Sequence, residues 1–237
     1  MSTTTLNNEQ ISKILWHPLM YRLLKGVLVP VGIGVHNELY ASHESPRIDT
    51  VLICDDKQWT ASQRDVLPDG IRSRDCQHHI LEFKITQSIT KKALKQALVY
   101  DYTYPDNHNL EEHEYQTYVI GSKTPLQANR DAWGFTEGDH PGVYTSTMPA
   151  YEDIVLIALN KLRPSPHNSY FQLFSSDKKV RERAFEYVLK KHAHELPDDL
   201  AISQLLTVIF AIAQSVLQSL ANQTSFHFHA HLKITLK

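Results

Sequence analysis

The chain reads as an α/β protein, a mixed sheet flanked by helices with a C-terminal helical extension. Three observations predict this. Residues 47–54 (RIDTVLIC) and 79–86 (HILEFKIT) are short runs dense in β-branched and other apolar residues, the composition of strands. A helical pattern follows the second run directly. In it Ala93, Leu94, Ala97, Leu98 and Asp101 recur along one side, behind a capping Ser88 or Thr90. Beyond residue 175 the pattern is helix-dominated, over about 176–194 and 198–221. Strands interleaved with helices pack as a covered sheet, because each element must bury its apolar side against another.

The other elements fall into place around these. Residues 7–25 set Ile11, Ile14, Leu15, Leu19, Leu23 and Leu24 at helical spacing, with Pro18 expected to kink or restart the helix near His17. Pro30 argues against a central strand in the Val- and Gly-rich stretch 27–34, and a strand is expected within 35–41. Residues 55–77, with Asp55, Asp56, Pro68, Asp69 and Gly70, read as a long loop or excursion. Strands are expected at 115–121, from Gly142 to Tyr144, and within 153–162, where Ile154, Val155 and Ile157 are β-branched. The expected organisation is a core over 1–165 and a helical extension over 166–237, packed as one globule.

Composition bounds the function. With 237 residues, 42% hydrophobic and 21% charged, the chain can bury a substantial core. A formal net charge of −2 excludes a globally basic nucleic-acid-coating protein, so any polyanion contact has to come from a local patch. Cys54 and Cys76 are too few for a disulfide framework and point to a reducing compartment. Residues 1–10 show no basic segment followed by an apolar one, so a cytoplasmic location is expected. Residues 200–220 lack charge, but their longest apolar run, 205–213, is broken by Thr207 and is far short of the roughly 18 residues a membrane span needs. Gln204, Thr207, Gln214, Gln218 and Asn222 instead form one polar stripe, and this helical region offers a homodimer surface.

The chemistry starts at Glu82-Phe83-Lys84. Alternate strand residues share a face, so this triplet sets a carboxylate beside an ammonium, with Leu81 and Phe83 on the other side. Alone it reads first as an ion pair on a solvated strand, since about one such triplet is expected by chance in a chain of this length. Its neighbours change that balance. Asp49 lies among Ile48, Thr50, Val51, Leu52 and Ile53, where a carboxylate is costly to bury unless it is paired or binds a cation. If the two strands are adjacent, Asp49 and Glu82 converge on one hard cation, with Lys84 beside a metal-bound water. Gln96 and Tyr100, four residues apart on the next helix, share a face, and Lys92 extends that row by a turn.

Asp49 in PRIDTVLI, Glu82-x-Lys84 in ILEFK and Gln96-x-x-x-Tyr100 in KQALVY, in this order, resemble the PD-(D/E)XK nuclease superfamily. The Gln/Tyr element looks like its RecB-type branch. The layout is also similar to the Rpn family of recombination-promoting nucleases and transposase-associated proteins. The resemblance covers residues 36–121. It implies a restriction-endonuclease-like αβββαβ core and metal-dependent hydrolysis of phosphodiesters, in DNA more than in RNA, in a DNA-processing, mobile-element or defence setting. It further implies that Asp49, Glu82 and the Phe83 carbonyl ligate Mg²⁺ or Mn²⁺, that Lys84 orients the nucleophile or stabilises the pentacovalent state, and that Gln96 and Tyr100 brace the site or touch substrate. Many members carry another upstream acid, for which Glu38 is the first candidate and Glu44 the second. The long excursion at 55–77 departs from the pattern, because it has to loop out between the two acidic strands. The alternatives are a catalytically silent member that binds nucleic acid or a protein, and an interaction protein in which Asp49 and Glu82 lie far apart.

Other signals carry less. His227, His229 and His231 alternate along 226–234 and read as the polar face of an edge strand before they read as a metal site. Cys76-Gln77-His78-His79 mimics ligand spacing but has no second half, and reads as loop polarity running into a strand, with His78 or His79 able to reach a cleft mouth. Arg72, Arg74, Lys91, Lys92 and Lys95 are candidate phosphate contacts near the site, as is the basic helix bearing Lys178, Lys179, Arg181, Arg183, Lys190 and Lys191. Trp16, Trp59 and Trp133 suit packing more than base stacking.

Overall fold

The computed structural model of the chain describes residues 8–40, 47–54 and 58–192. Two compact units divide the chain: Leu23–His194, which holds the sheet, and Met1–Arg22 with Glu195–Lys237. In the latter the described residues are 8–22, the start of helix α1 (Asn8–Leu28). The expected helix at 198–221 with its polar stripe, Glu44 and the 227/229/231 histidines lie outside the described residues. No described helix is long and apolar enough to cross a membrane.

Helix α1 continues through Pro18, so it does not restart there. Leu23, Leu24 and Leu28 at its C-terminal end are buried, and such burial offsets the hydrogen bond a proline removes. A single 3₁₀ turn, Val29–Val31, follows around Pro30.

Among the described residues seven strands form one mixed sheet. In chain order they are β1 (Gly34–Tyr40), β2 (Arg47–Ile53), β3 (His78–Lys84), β4 (Tyr115–Gly121), β5 (Phe135–Glu137), β6 (Val143–Ser146) and β7 (Ile154–Ala158). Their spatial order is β1-β2-β3-β4-β7-β6-β5. The first three are an antiparallel meander, β3, β4 and β7 run parallel, and β6 and β5 return antiparallel. Helix α3 (Lys91–His108) joins β3 to β4, the connection a parallel neighbour requires. It begins at Thr90, whose side chain accepts from the Ala93 N–H at 3.3 Å. It outlasts the expected end near Tyr102 because Asn109, in the left-handed region at φ 53°, closes it with its N–H on the Pro105 carbonyl.

Alternation sorts the strand residues onto two faces. Val51 and Ile80 pack with Tyr100 and Tyr104 of α3. Val119 and Leu156 pack with Leu94 and Ala97. Glu82 therefore points to the α3 side, and His79, Leu81 and Phe83 to the other. On that other side the Trp59 ring lies tilted beside His79, 4.8 Å between centroids, and the Phe171 ring lies 6.4 Å from Phe83. Phe171 belongs to α5 (Pro166–Gln172), which the sequence patterns do not reveal, and neither do they reveal α4 (Gln127–Ala132) or β5. These elements are too short to show a period. Helix α6 (Lys178–His192) follows, with Asp177 Oδ1 accepting from the Lys179 N–H at 2.9 Å.

The excursion at 55–77 is partly ordered structure. It contains one helical turn, α2 (Ala61–Arg64), closed by a reciprocal Thr60–Gln63 cap. It then crosses the sheet face opposite α3. Gly70, at φ +91°, brings its backbone so close that a Cβ there would meet Val143 at 3.0 Å and Ile157 at 3.2 Å. Asp69 anchors this crossing. Its Oδ1 meets His167 Nε2 at 2.9 Å, its Oδ2 accepts from Asn168 Nδ2 at 2.8 Å, and its N–H donates to Asn168 Oδ1 at 2.8 Å. These bonds outweigh the cost of burial and hold the carboxyl below its ordinary range. Asp69→Ala is expected to destabilise the protein by about 2–4 kcal/mol, since it strands buried donors. Urea unfolding at pH 7 checks this, and a midpoint unchanged from wild type would remove Asp69 as the anchor.

Candidate active site

Register brings the acids together. β1 pairs Asn37 with Thr50 and Leu39 with Ile48, so the backbone of Glu38 lies level with Asp49. β2 pairs Thr50 with Leu81 and Val51 with Ile80, and continuing that register sets Asp49 against Glu82. Glu38, Asp49 and Glu82 thus occupy one cross-strand row on three neighbouring strands, and Glu38 is placed by its backbone alone. The β2–β3 pairing stops at Thr50–Leu81. Immediately past it Asp49 Oδ2 accepts from the Phe83 N–H at 2.8 Å, so a side chain takes a strand N–H.

Glu82 is 1% exposed. Its Oε1 accepts from the Lys84 ammonium, while its Oε2 is buried without a hydrogen-bond partner. Burial first, and then the charge of Asp49, push the Glu82 carboxyl up to about 7, with Lys84 opposing. Lys84 stays partly exposed at 19% of its side chain, and Asp49 is half-buried. These two give the row its contact with solvent.

Helix α3 closes the site from above. The Gln96 Nε2 donates to the Tyr100 hydroxyl, which donates in turn to the Arg47 carbonyl at 2.7 Å. Tyr100 therefore ties the helix to β2 two residues before Asp49. Burial, then the negative charge of Glu82, hold its phenol well above the ordinary tyrosine range, so it remains a hydrogen-bond donor. Tyr100→Phe is expected to cost about 1–2 kcal/mol, by leaving the Arg47 carbonyl without this donor. A urea titration at unchanged m-value measures it, and a loss below a few tenths of that would free Tyr100 from this bracing role.

Asp49, Glu82, Lys84, Gln96 and Tyr100 are thus gathered on the α3 side of the sheet, while Phe83 contributes its N–H there and its ring to the opposite layer. Among the described residues no group of three or more His, Cys, Asp or Glu side chains is arranged to hold a metal. Asp49 and Glu82 are two carboxylates, one of them with a buried orphan oxygen. That donor set fits a hard divalent ion such as Mg²⁺, which uses one or two carboxylates and keeps several waters.

Two sequence expectations are corrected. Arg72 and Arg74 belong to the excursion that crosses the sheet face opposite α3, where Gly70 packs on Val143 and Ile157, whereas Glu82 and Lys84 face α3. Arg72 moreover pairs with Asp65 at 3.2 Å. Both arginines thus lie on the sheet face away from Glu82. The Cys76–His79 run leads into a strand as expected, but neither histidine reaches a cleft mouth. Both are buried in β3, His78 Nδ1 on Tyr104 at 3.0 Å and His79 Nδ1 between Tyr118 at 3.1 Å and Cys76 Sγ at 3.3 Å. Burial pushes His79 down to about 3 and Cys76 up to about 12, so both stay neutral and form core rather than a ligand set. Trp59 and Trp133 are buried, as packing residues are, and the side chain of Trp16 is not described.

Compared with models of protein families, with curated proteins and with solved structures, the chain matches none.

Proposed function

We propose that the protein is a Mg²⁺- or Mn²⁺-dependent nuclease of PD-(D/E)XK type, hydrolysing phosphodiester bonds in DNA. The observation that carries this reading is the shared row of Asp49 and Glu82, with Lys84 bonded to one Glu82 oxygen and the other buried without a partner. A lone structural ion pair has no need of a second carboxylate alongside it, and juxtaposed like charges cost stability without a cation. The chain order supports the same reading: helix α1, the β1–β2–β3 meander, helix α3 and parallel β4 follow the αβββαβ arrangement that the motif resemblance implies.

In this reading Asp49, Glu82 and the Phe83 carbonyl hold the ion, and Glu38 is the further acid of the row. When bound, a divalent ion lowers the pKa of water and neutralises charge on the phosphate. The protein's own groups do the rest. Asp49 is aimed by the Phe83 N–H, Lys84 supplies a partly exposed ammonium toward the scissile group, and Tyr100 with Gln96 fixes α3 over β2.

The test is incubation of the full chain with supercoiled and linear DNA and with RNA, in Mg²⁺, in Mn²⁺ and in EDTA. Metal-dependent cutting of DNA is expected. Binding of DNA with no cutting under any of the metal conditions would replace this reading with that of a silent nucleic-acid-binding member of the fold.

A further inference from the structure

The parallel strands β3, β4 and β7 end level with one another, Lys84 beside Gly121 and Gly121 beside Ala158. Charge is sorted along this sheet. From Phe83 to Tyr100 the sequence has four lysines, Lys84, Lys91, Lys92 and Lys95, and no acid; from Tyr115 to Arg130 it has Lys123 and Arg130 and again no acid. Lys91, Lys92, Lys95 and Lys123 are exposed, and none is ion-paired among the described residues. At the other end of the same strands the last turn of α3 and its connection to β4 have Asp106, Glu111, Glu112 and Glu114 and no lysine or arginine.

The band has borders. Beyond β7 the 138–142 turn, which returns to pair with the end of that strand, brings Glu137 and Asp139 to the same level. On the other sheet face Arg64 pairs with Asp75 at 2.5 Å and Arg72 with Asp65. In a chain of net charge −2, two acid-free segments whose exposed lysines flank Lys84 depart from the intermixed pattern of a solvated surface, with Asp177, beyond the Ser176–Ser122 bond, as the acid at their edge. Lys92 also stands one turn before Gln96 in the row that continues to Tyr100, which directs the band to the Glu82 side of the sheet.

We infer that Lys91, Lys92, Lys95 and Lys123, at the C-terminal ends of β3 and β4, form the track that binds the phosphate backbone of a nucleic acid and leads it past Lys84. The track rests on the nuclease reading only for what happens to the strand once it is seated; seating itself is electrostatic. The Arg72–Arg74 segment, on the other sheet face, does not belong to it.

The experiment is fluorescence anisotropy of the full chain with a labelled duplex and a labelled single strand of mixed sequence, in EDTA, between 50 and 200 mM KCl. These concentrations are about those over which phosphate contacts are lost. Lys92→Ala/Lys123→Ala is compared with Arg74→Ala and wild type, with melting curves showing that the exposed changes leave the fold intact. The double variant is expected to bind at least about tenfold more weakly at 100 mM or so and to lose about two contacts' worth of slope in log K against log salt. Arg74→Ala is expected to bind as wild type. Equal loss in both, or no loss in the double variant, overturns the track. Failure of the nuclease reading looks different: binding stays dependent on Lys92 and Lys123 while no metal supports cutting.

Discussion

Lys84→Ala and Asp49→Asn are each expected to lower Mg²⁺-dependent plasmid cleavage by at least about 100-fold, the scale on which single charge-stabilising or proton-handling groups act. Asparagine is the informative replacement at Asp49. It keeps an oxygen to accept the Phe83 N–H, whereas alanine would leave that donor stranded at a cost of about 1–3 kcal/mol and confuse misfolding with lost chemistry. Lys84 has 19% of its side chain exposed and is bonded to Glu82, so melting curves accompany its truncation to show that the variant is folded. Gel assays of nicked and linear product over time measure both. Cleavage surviving at wild-type rate in either variant would detach the activity from this row, and loss in one variant alone would mean a misplaced site or a contaminating enzyme.

Glu82→Gln is expected to stabilise the metal-free protein at pH 8 by about 1–3 kcal/mol and to give little at pH 5. The carboxyl is raised to about 7 in the folded chain, against about 4.5 when solvated. Between those values the native state holds more protons than the unfolded one, so wild-type stability falls as pH rises through that interval and the penalty is complete above it. A neutral amide never incurs it, though it forfeits the bond from Lys84, which trims the gain. Urea midpoints in EDTA at the two pH values measure the difference. Mg²⁺ is expected to narrow the gap at pH 8, since an ion bound by the wild-type carboxylates stabilises the native state. A gain of equal size at both pH values would mean that Glu82 is not held protonated by its surroundings.

The strands bearing Asp49 and Glu82 and the start of α3 are readable because each has a strong local signal: β-branched runs, and a Thr cap before a helical period. The ends and the small elements are not. α3 continues past Tyr102 because Asn109 can adopt a left-handed conformation, and α5 hides behind Ser165-Pro166, which reads as loop punctuation as well as a helix start. The Asp69 anchor joins residues 99 positions apart, a pairing that no local pattern announces.

From the residues alone came the chemical types and their alternation: a carboxylate and an amine on one side of a strand, a lone acid in an apolar run, a Gln/Tyr pair on one helical side. Which of these meet is a matter of strand order and register. A shift of one residue in the β2–β3 pairing would turn Asp49 away from Glu82. The same sheet sends the segment bearing Arg72 and Arg74 across the face opposite α3 while bringing the end of β4, and Lys123 just past it, level with Lys84, since parallel neighbours align their ends. Side-chain chemistry is local, but proximity is set by backbone hydrogen bonds between segments far apart in the chain, and those only the tertiary structure decides.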